Sequence, residues 1–263
     1  MLEGLLARLA VSDLRDRFVL KGGVLLAAFG ARRPTKDVDL AGLDIANETE
    51  AVLDHVCRVL TVASPSEDGL EFIVESATAD VIREEDDYSG VRVHVQAHLA
   101  SAKLPFHVDV NVGDPIWPSP TTVSVPRLRG GEPIELRGYP MHMVHAEKIV
   151  TAIQRGTANT RWRDFGDIWT LLRQHAVTAD DLARALNEVA SHRNATIRPL
   201  AEVLDGYAEL GQTRWLHWRR RSDSDHLPEQ FASVLAIVSA FADPVVTGRV
   251  AGAAWSNERG TWE

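Results

Sequence analysis

The segment Arg33-Pro-Thr-Lys-Asp-Val-Asp-Leu40 ends in an alternation of polar and apolar residues, with Asp37 and Asp39 two positions apart. Side chains at i and i+2 of a β-strand point to the same face, so this pattern predicts two adjacent carboxylates above an apolar face. A divalent cation is the simplest reason for such a pair, and carboxylate ligation suits Mg²⁺ or Mn²⁺. An isolated Asp-x-Asp is also typical of a solvated strand edge, so the interpretation depends on the surrounding sequence.

A pair of strands is predicted farther along the chain, from Val91 to Leu99 and from Phe106 to Val112. Both segments alternate polar and apolar residues, and the short connection between them favours antiparallel neighbours. The second strand has one apolar face and leaves His107, Asp109 and Asn111 on the other. If it lies beside the strand with the two earlier aspartates, Asp109 is a third carboxylate of one site, which can then hold two ions. Otherwise Asp109 is an exposed strand residue.

The segment before the aspartates predicts a strand, a turn and a helix. An apolar run at 18–20 is followed by Lys21-Gly22-Gly23 and a second apolar run at 24–29. Glycines at such a turn let backbone N–H groups approach a triphosphate, and Arg33 and Thr35 can add a guanidinium and a hydroxyl to the same phosphates. A Gly-Gly pair is equally typical of a plain turn, so this segment supports the site only together with the aspartates.

The second half of the chain has a helical pattern throughout. The predicted helices cover residues 142–155, 163–175, 178–191, 196–209 and 228–242. The stretch before them, 115–140, is rich in Pro, Gly and Thr, which favours a domain boundary near its end. The sequence therefore predicts two domains, 1–140 and 141–263.

The composition predicts a soluble, cytoplasmic protein. The chain has 263 residues, of which 45% are hydrophobic and 25% are charged, and this balance is typical of folded globular proteins. Its single cysteine, Cys57, excludes an internal disulfide and suits a reducing compartment. The N-terminal segment lacks an apolar core of signal-peptide length, and no later segment is apolar over a bilayer-spanning length, so no membrane association is expected.

The charge of the chain is unevenly distributed. The net charge is −9 overall, which argues against a nucleic-acid partner. Residues 1–138 carry 14 Lys and Arg against 22 Asp and Glu, a net of −8, but residues 148–221 carry 12 against 8, a net of +4. A polyanionic substrate therefore remains compatible with the second half of the chain.

Four stretches, in order, resemble the AbiEii/AbiGii toxin family, a branch of the polymerase-β-like nucleotidyltransferases. They are Phe18-Val-Leu-Lys-Gly-Gly23 with Arg33 to Leu40, Phe106-His-Val-Asp-Val110, Ala146-Glu-Lys148, and Arg161-Trp-Arg-Asp-Phe-Gly-Asp-Ile168. The resemblance includes the mycobacterial MenT toxins, which transfer nucleotides to tRNA. It implies an α+β fold, in which a nucleotidyltransferase domain with a mixed sheet and flanking helices precedes a helical domain that completes the nucleotide and acceptor cleft.

The resemblance also implies a role for each matched residue. The metal ligands are Asp37, Asp39 and Asp109, and Lys148 and Asp164 join them as catalytic residues, with Asp164 orienting Lys148 or the nucleotide and Asp167 structural. The nucleotide-binding residues are Lys21, Gly22, Gly23, Arg33, Thr35, Arg161 and Arg163. Arg163 departs from the family pattern, which usually has Lys there, and a guanidinium holds phosphate differently from an ammonium.

The implied function is that of a toxin from a toxin-antitoxin system, with a cognate antitoxin encoded nearby. It would transfer NMP from an NTP to an RNA acceptor, the tRNA 3′ end, and so block translation. The stretch Arg214-Trp-Leu-His-Trp-Arg-Arg-Arg221 interleaves aromatic and cationic residues, which suits RNA contact through Arg219, Arg220 and Arg221. Packing of both tryptophans beneath a basic rim is the alternative.

Two other functions remain open at the level of sequence. The acceptor can be a small molecule such as an aminoglycoside, or a protein, because related nucleotidyltransferases use the same metal chemistry on other acceptors. The chain can also be a nucleotide-binding or partner-binding protein without catalysis. The three intact aspartates argue against the second alternative.

Overall fold

The structure is a computed structural model that describes residues 1–83 and 89–263. It contains two compact units. The first comprises Met1–Asp114 and Pro120–Tyr139, and the second comprises Pro115–Ser119 and Pro140–Glu263. Among the described residues, no helix is both long enough and apolar enough to cross a membrane.

The first unit is built on a mixed sheet. Within the described residues it has seven strands: β1 (Phe18–Lys21), β2 (Asp37–Gly42), β3 (Leu70–Arg83), β4 (Ser89–Leu99), β5 (Ala102–Val112), β6 (Thr121–Val125) and β7 (Ile134–Gly138). Their order is β3-β4-β5-β2-β1-β7-β6. The pairs β2–β5 and β1–β7 are parallel, and the other neighbours are antiparallel.

Helices flank this sheet. They are α1 (Leu2–Val11), α2 (Gly22–Leu25), which continues as a 3₁₀ turn over Leu26–Phe29, and α3 (Thr49–Thr61). Helix α1 contacts β7 and α3, and α3 in turn contacts β3 and β4. The α+β fold class with a mixed sheet and flanking helices is therefore confirmed.

The alternation in the sequence matches the two faces of the central strands. Val38 on β2 and Val108 and Val110 on β5 are fully buried, which provides the apolar anchor that the pattern predicts. The predicted antiparallel pairing of β4 with β5 is also present. The opposite face carries the polar residues of both strands.

The second unit is mainly helical. Its helices are α4 (Met141–Arg155), α5 (Trp162–Leu172), α6 (Ala179–His192), α7 (Leu200–Val203), α8 (Tyr207–Arg221) and α9 (Phe231–Val246). A short hairpin of β8 (Trp255–Ser256) and β9 (Thr261–Trp262) follows them. An aromatic cluster holds α5, α8 and α9 together, with ring centroids 5.0 to 6.0 Å apart among Trp162, Phe165, Tyr207, Trp215 and Phe231.

The predicted helix at 196–209 is wrong. The chain forms one helical turn, Leu200–Val203, and then breaks at Gly206, whose φ of 70° is left-handed. A right-handed helix cannot pass through this backbone conformation. A longer helix then begins at Tyr207 and includes the cationic stretch that ends at Arg221.

Candidate active site

The pairing of β2 with β5 places the predicted metal ligands next to one another. In this parallel register Asp37 lies beside His107, and Asp39 lies beside Asp109. Paired residues of neighbouring strands point to the same face. The three aspartates therefore share the polar face of the sheet, together with a histidine to which the resemblance gave no role.

The carboxylate of Asp39 lies against the turn between β1 and α2. It accepts a hydrogen bond from the backbone N–H of Gly23 at 3.4 Å. Gly22 has a φ of 63°, and a Cβ at this position would lie 1.8 Å from Oδ2 of Asp39, so this turn requires glycine both for its conformation and for its close approach. Burial raises the pKa of Asp39, and repulsion from Asp37 raises it further, whereas Lys21 opposes the shift.

Asp37, His107 and Asp109 form a group of possible metal ligands on this face. One ligand atom of each lies within 4.8 Å of the others, and Nε2 of His107 lies 3.9 Å from Oδ2 of Asp37. The side chains of Asp37 and His107 are about one quarter exposed. Solvent therefore reaches the group, which suits an ion that keeps water among its ligands.

Arg92 on β4 forms a two-point ion pair with Asp109. Its Nε and Nη2 donate to the two carboxylate oxygens at 2.7 and 2.6 Å. Arg92 pairs with Asp109 in the antiparallel β4–β5 register, so both side chains lie on the polar face. The pKa of Arg92 is raised, chiefly by this hydrogen bonding.

Lys21, at the end of β1, is held by residues that the sequence did not single out. Its Nζ lies 2.6 Å from Oδ2 of Asp114 and 5.1 Å from the ring centre of Tyr139. The hydroxyl of Tyr139 donates to the same oxygen of Asp114 at 3.2 Å. Lys21 is in register with Asp39. Its ammonium therefore lies at the margin of the acidic face, by which we mean the polar face of the sheet that carries Asp37, Asp39 and Asp109.

Three of the residues predicted to hold phosphates lie next to one another in the first unit. A Cβ on Gly23 would lie 3.0 Å from Oγ1 of Thr35 and 3.2 Å from both terminal nitrogens of Arg33. Thr35 also donates a hydrogen bond to Asp37. The structure therefore brings Gly23, Arg33 and Thr35 to one place beside Asp37.

A cavity of about 510 Å³ opens beside this group. Its walls include Gly23, Val24, Ala27, Arg33 and Thr35, and its lining is mostly apolar. Small-molecule sites typically have volumes of about 300 to 1,000 Å³ with few polar groups. The volume of this cavity lies within that range.

In the second unit, Lys148 on α4 is bound by two acids of α5. Its Nζ lies 2.8 Å from Oδ1 of Asp164 and 2.8 Å from Oδ2 of Asp167. All three side chains are largely buried, and Nε of Arg161 lies 3.2 Å from Asp164. Both aspartates thus hold Lys148, although the resemblance separated their roles. Arg163 is exposed.

The pKa of Asp164 reflects these cations. Burial favours the neutral acid, but Lys148 and then Arg161 outweigh it and lower the pKa to about 2. The carboxylate is therefore ionised at neutral pH and fixes the position of the lysine ammonium. The expected role of Asp164 in orienting Lys148 stays a prediction.

The structure separates the three arginines expected to contact RNA. Arg219 is buried, and its Nε and Nη2 donate to the carbonyl oxygens of Leu227 and Asp225. Arg220 and Arg221 are exposed. Trp215 is fully buried and its ring packs against Phe231. The expectation is therefore corrected for Arg219, because its guanidinium is used inside the fold.

Several neighbours of the site were missed by sequence reasoning. Arg92 lies on the polar face of an alternating strand, but only the strand register shows that it pairs with Asp109. Asp114 directly precedes the Pro- and Gly-rich stretch 115–140, and Tyr139 lies at its end, where no periodicity indicates which way a side chain points. His107 shares the face of Asp109 by simple alternation, which was the available signal.

Comparisons with solved structures identify a similar fold. No curated protein matches the chain. JHP933 from Helicobacter pylori has a similar fold, with 14% identity, a TM-score of 0.54, and coverage of 94% of this chain and 89% of that chain. A second H. pylori structure, provisionally assigned as a nucleotidyltransferase, has 14% identity, a TM-score of 0.51, and coverage of 94% and 92%. At this identity the likeness concerns the fold alone.

The family match is more specific. Residues 4–237 match the model of the family described as nucleotidyl transferase AbiEii toxin, type IV toxin-antitoxin system. The match covers both the sheet with the acidic face and the helices that carry Lys148 and Asp164, and it confirms the resemblance seen in the motifs. This chain therefore belongs to the AbiEii family of nucleotidyltransferase toxins.

Proposed function

We propose that this protein transfers NMP from an NTP to the 3′ end of tRNA in a metal-dependent reaction, and that a cognate antitoxin restrains it. Family membership supports a nucleotidyltransferase with a nucleotide substrate and an antitoxin partner. The observation that carries the proposed chemistry is the register of β2 and β5, which pairs Asp39 with Asp109 and keeps Asp37 on the same face.

The residues on this face fit a divalent cation. Asp37 and Asp109 supply hard oxygen donors within reach of each other, Asp39 lies in the same row, and solvent has access. Bound there, Mg²⁺ or Mn²⁺ would activate the acceptor hydroxyl and neutralise charge on the α-phosphate and the departing pyrophosphate. The chain's part is to position the aspartates, which β2 and β5 do through their buried valines.

The proposed triphosphate site lies at the turn after β1. Gly23 lies against the side chains of Arg33 and Thr35, and Thr35 donates a hydrogen bond to Asp37. A guanidinium and a hydroxyl are suitable donors to phosphate oxygens. The adjoining cavity of about 510 Å³ would receive the nucleoside. In the second unit, Lys148 is the proposed phosphate-binding cation, and Asp164 and Asp167 orient it.

The choice of RNA as acceptor rests on charge and on the motif resemblance to the MenT toxins. Residues 148–221 carry a net charge of +4 in a chain of net charge −9. Cations in this part of the chain would neutralise phosphates of a polyanionic acceptor. Arg220 and Arg221 are exposed and suit this role.

The acceptor is identified by following the label from an α-³²P-NTP. Purified protein is incubated with each of the four NTPs, with Mg²⁺ or Mn²⁺, and with total RNA, an aminoglycoside mixture or cell protein in parallel. We expect tRNA to be labelled and lengthened by one or a few nucleotides on a denaturing gel. Label in an aminoglycoside or in protein, without label in RNA, would replace the RNA proposal by the corresponding alternative.

A further inference from the structure

We propose that His107 is a direct ligand of the metal at the acidic face, through Nε2, and that it makes the site prefer Mn²⁺ or Co²⁺ to Mg²⁺. The inference rests on the proposed metal site and adds a ligand of different chemistry to the three aspartates. It follows from the position of His107 on β5, two residues before Asp109 and directly beside Asp37.

The geometry carries the assignment. Nε2 of His107 lies 3.9 Å from Oδ2 of Asp37, and ligand atoms of His107, Asp37 and Asp109 all lie within 4.8 Å of one another. An ion with metal–ligand bonds of about 2.1 Å holds its ligand atoms about 3 to 4 Å apart. Small side-chain rotations would therefore bring the three ligand atoms to one ion. Asp39, by contrast, is turned towards the N–H of Gly23.

The donor type sets the expected selectivity. Mg²⁺ favours oxygen ligands. Imidazole nitrogen binds divalent transition-metal ions more strongly than it binds Mg²⁺, and among them its affinity rises from Mn²⁺ to Co²⁺ in the Irving–Williams order. A site that includes an imidazole should therefore discriminate against Mg²⁺ more strongly than a site of carboxylates alone. A purely structural histidine that only hydrogen-bonds Asp37 would not change this preference.

The chain provides a matched control at His94. This residue lies on β4 in register with His107, with ring centres 6.1 Å apart on the same face. Its Nε2 lies 3.5 Å from Oδ2 of Asp80. Asp80 belongs to β3, which is on the opposite side of β4 from Asp37, Asp39 and Asp109. His94→Phe therefore removes an equivalent ring without removing the proposed ligand.

The test measures metal binding without nucleotide or turnover. Mn²⁺ binding is followed through the electron paramagnetic resonance signal of free Mn²⁺, and Mg²⁺ binding through competition. For His107→Phe we expect Mn²⁺ affinity to fall by about tenfold or more and Mg²⁺ affinity by less than about twofold. His94→Phe should change neither. Unchanged Mn²⁺ affinity in His107→Phe, or an equal loss for both ions, would overturn the assignment.

A spectroscopic measurement on the wild-type chain covers the case in which the variant does not fold. Electron spin-echo envelope modulation of bound Mn²⁺ should show hyperfine coupling between the ion and a nitrogen nucleus. This coupling should change when the histidines are labelled with ¹⁵N. Absence of histidine nitrogen coupling would refute the inference. Asp37→Asn and Asp109→Asn test the underlying site separately: if they abolish Mn²⁺ binding while no nitrogen coupling is seen, the carboxylate site stands and the histidine ligand does not.

Discussion

Arg92 and Asp109 face each other across β4 and β5, and the guanidinium donates to both oxygens of the carboxylate, at 2.7 and 2.6 Å. An internal cation thus occupies one of the proposed metal ligands. Because a divalent ion needs at least one of these oxygens, Arg92 and the metal compete for Asp109. We therefore expect the ion pair to limit the affinity of the proposed metal site before the nucleotide binds.

Removal of Arg92 should consequently increase metal affinity. For Arg92→Met we expect Mn²⁺ binding without nucleotide to strengthen by about threefold to tenfold, because the remaining carboxylates attract a cation more strongly. Titration with Mn²⁺ measures this. Arg58→Met is the control, since Arg58 makes an exposed ion pair with Asp13. Weaker Mn²⁺ binding in Arg92→Met would show that Arg92 supports the site instead.

The turn at Gly22 should tolerate no side chain. In Gly22→Ala a Cβ would clash with Asp39, and the positive φ adds a cost of about 1 kcal/mol. We expect nucleotide transfer to fall by about 100-fold or more because Asp39 is displaced. Gly130→Ala is the matched control, because Gly130 has a φ of 75° and open space around it. Equal activities of the two variants would contradict a role for this contact.

Ionisation of Asp164 should stabilise the second unit. Its pKa falls from 3.8 to about 2 on folding, so the stabilisation is present above pH 4 and is lost as the pH falls towards 2. Between pH 5 and pH 3 this carboxylate should account for a loss of about 1 kcal/mol in the free energy of unfolding. In Asp164→Asn that part of the pH dependence should disappear.

Tryptophan fluorescence measures this unfolding selectively. All seven tryptophans lie in the second unit, so urea titrations at several pH values report on its stability. Asp205→Asn, at an exposed position, is the control and should retain the wild-type pH dependence. An identical acid dependence in wild type and Asp164→Asn would mean that the Lys148 ion pair does not stabilise the charged acid.

The exposed arginines at the end of α8 should contribute to RNA affinity. In Arg220→Ala/Arg221→Ala we expect weaker tRNA binding and a less steep dependence on salt, with a slope reduced by about one to two, since each phosphate contact releases a counterion. Filter binding at several salt concentrations measures the slope. Arg249→Ala/Arg259→Ala removes the same charge from exposed positions of the second unit. Equal slopes for both double variants would leave α8 without a specific role.

The acidic face was predictable from sequence because strands alternate. The spacing of Asp37 and Asp39 and the apolar partners of Asp109 indicate which face each carboxylate occupies. The local sequence pattern of a strand does not show which distant strand pairs with it. It therefore did not predict that Arg92 holds Asp109 or that Asp114 holds Lys21, since both contacts depend on tertiary register.

The helical half was predicted less accurately near its centre. The pattern at 196–209 favoured one helix, but Gly206 adopts a left-handed conformation and a new helix begins after it. The three consecutive arginines at the end of this helix lie in two different environments. Arg219 faces carbonyl oxygens of the segment after the helix, whereas Arg220 and Arg221 face solvent, and helical periodicity alone does not show which neighbour covers a face.

Transfer of an α-phosphate label to tRNA tests the central claim most directly. Wild-type protein is compared with Asp37→Asn, Asp39→Asn and Asp109→Asn, with Mg²⁺ or Mn²⁺ and with chelator, using α-³²P-NTP and γ-³²P-NTP in parallel. Asp54→Asn, an exposed carboxylate on α3 of the same unit, is the control. Circular dichroism verifies that each variant is folded.

We predict that tRNA acquires the α-label and not the γ-label, that chelator stops the reaction, and that each of the three acidic-face variants loses at least about 1,000-fold in rate. Asp54→Asn should retain the wild-type rate. Rates within about tenfold of wild type in a folded acidic-face variant, or transfer of the γ-label, would contradict metal-dependent nucleotidyl transfer at Asp37, Asp39 and Asp109.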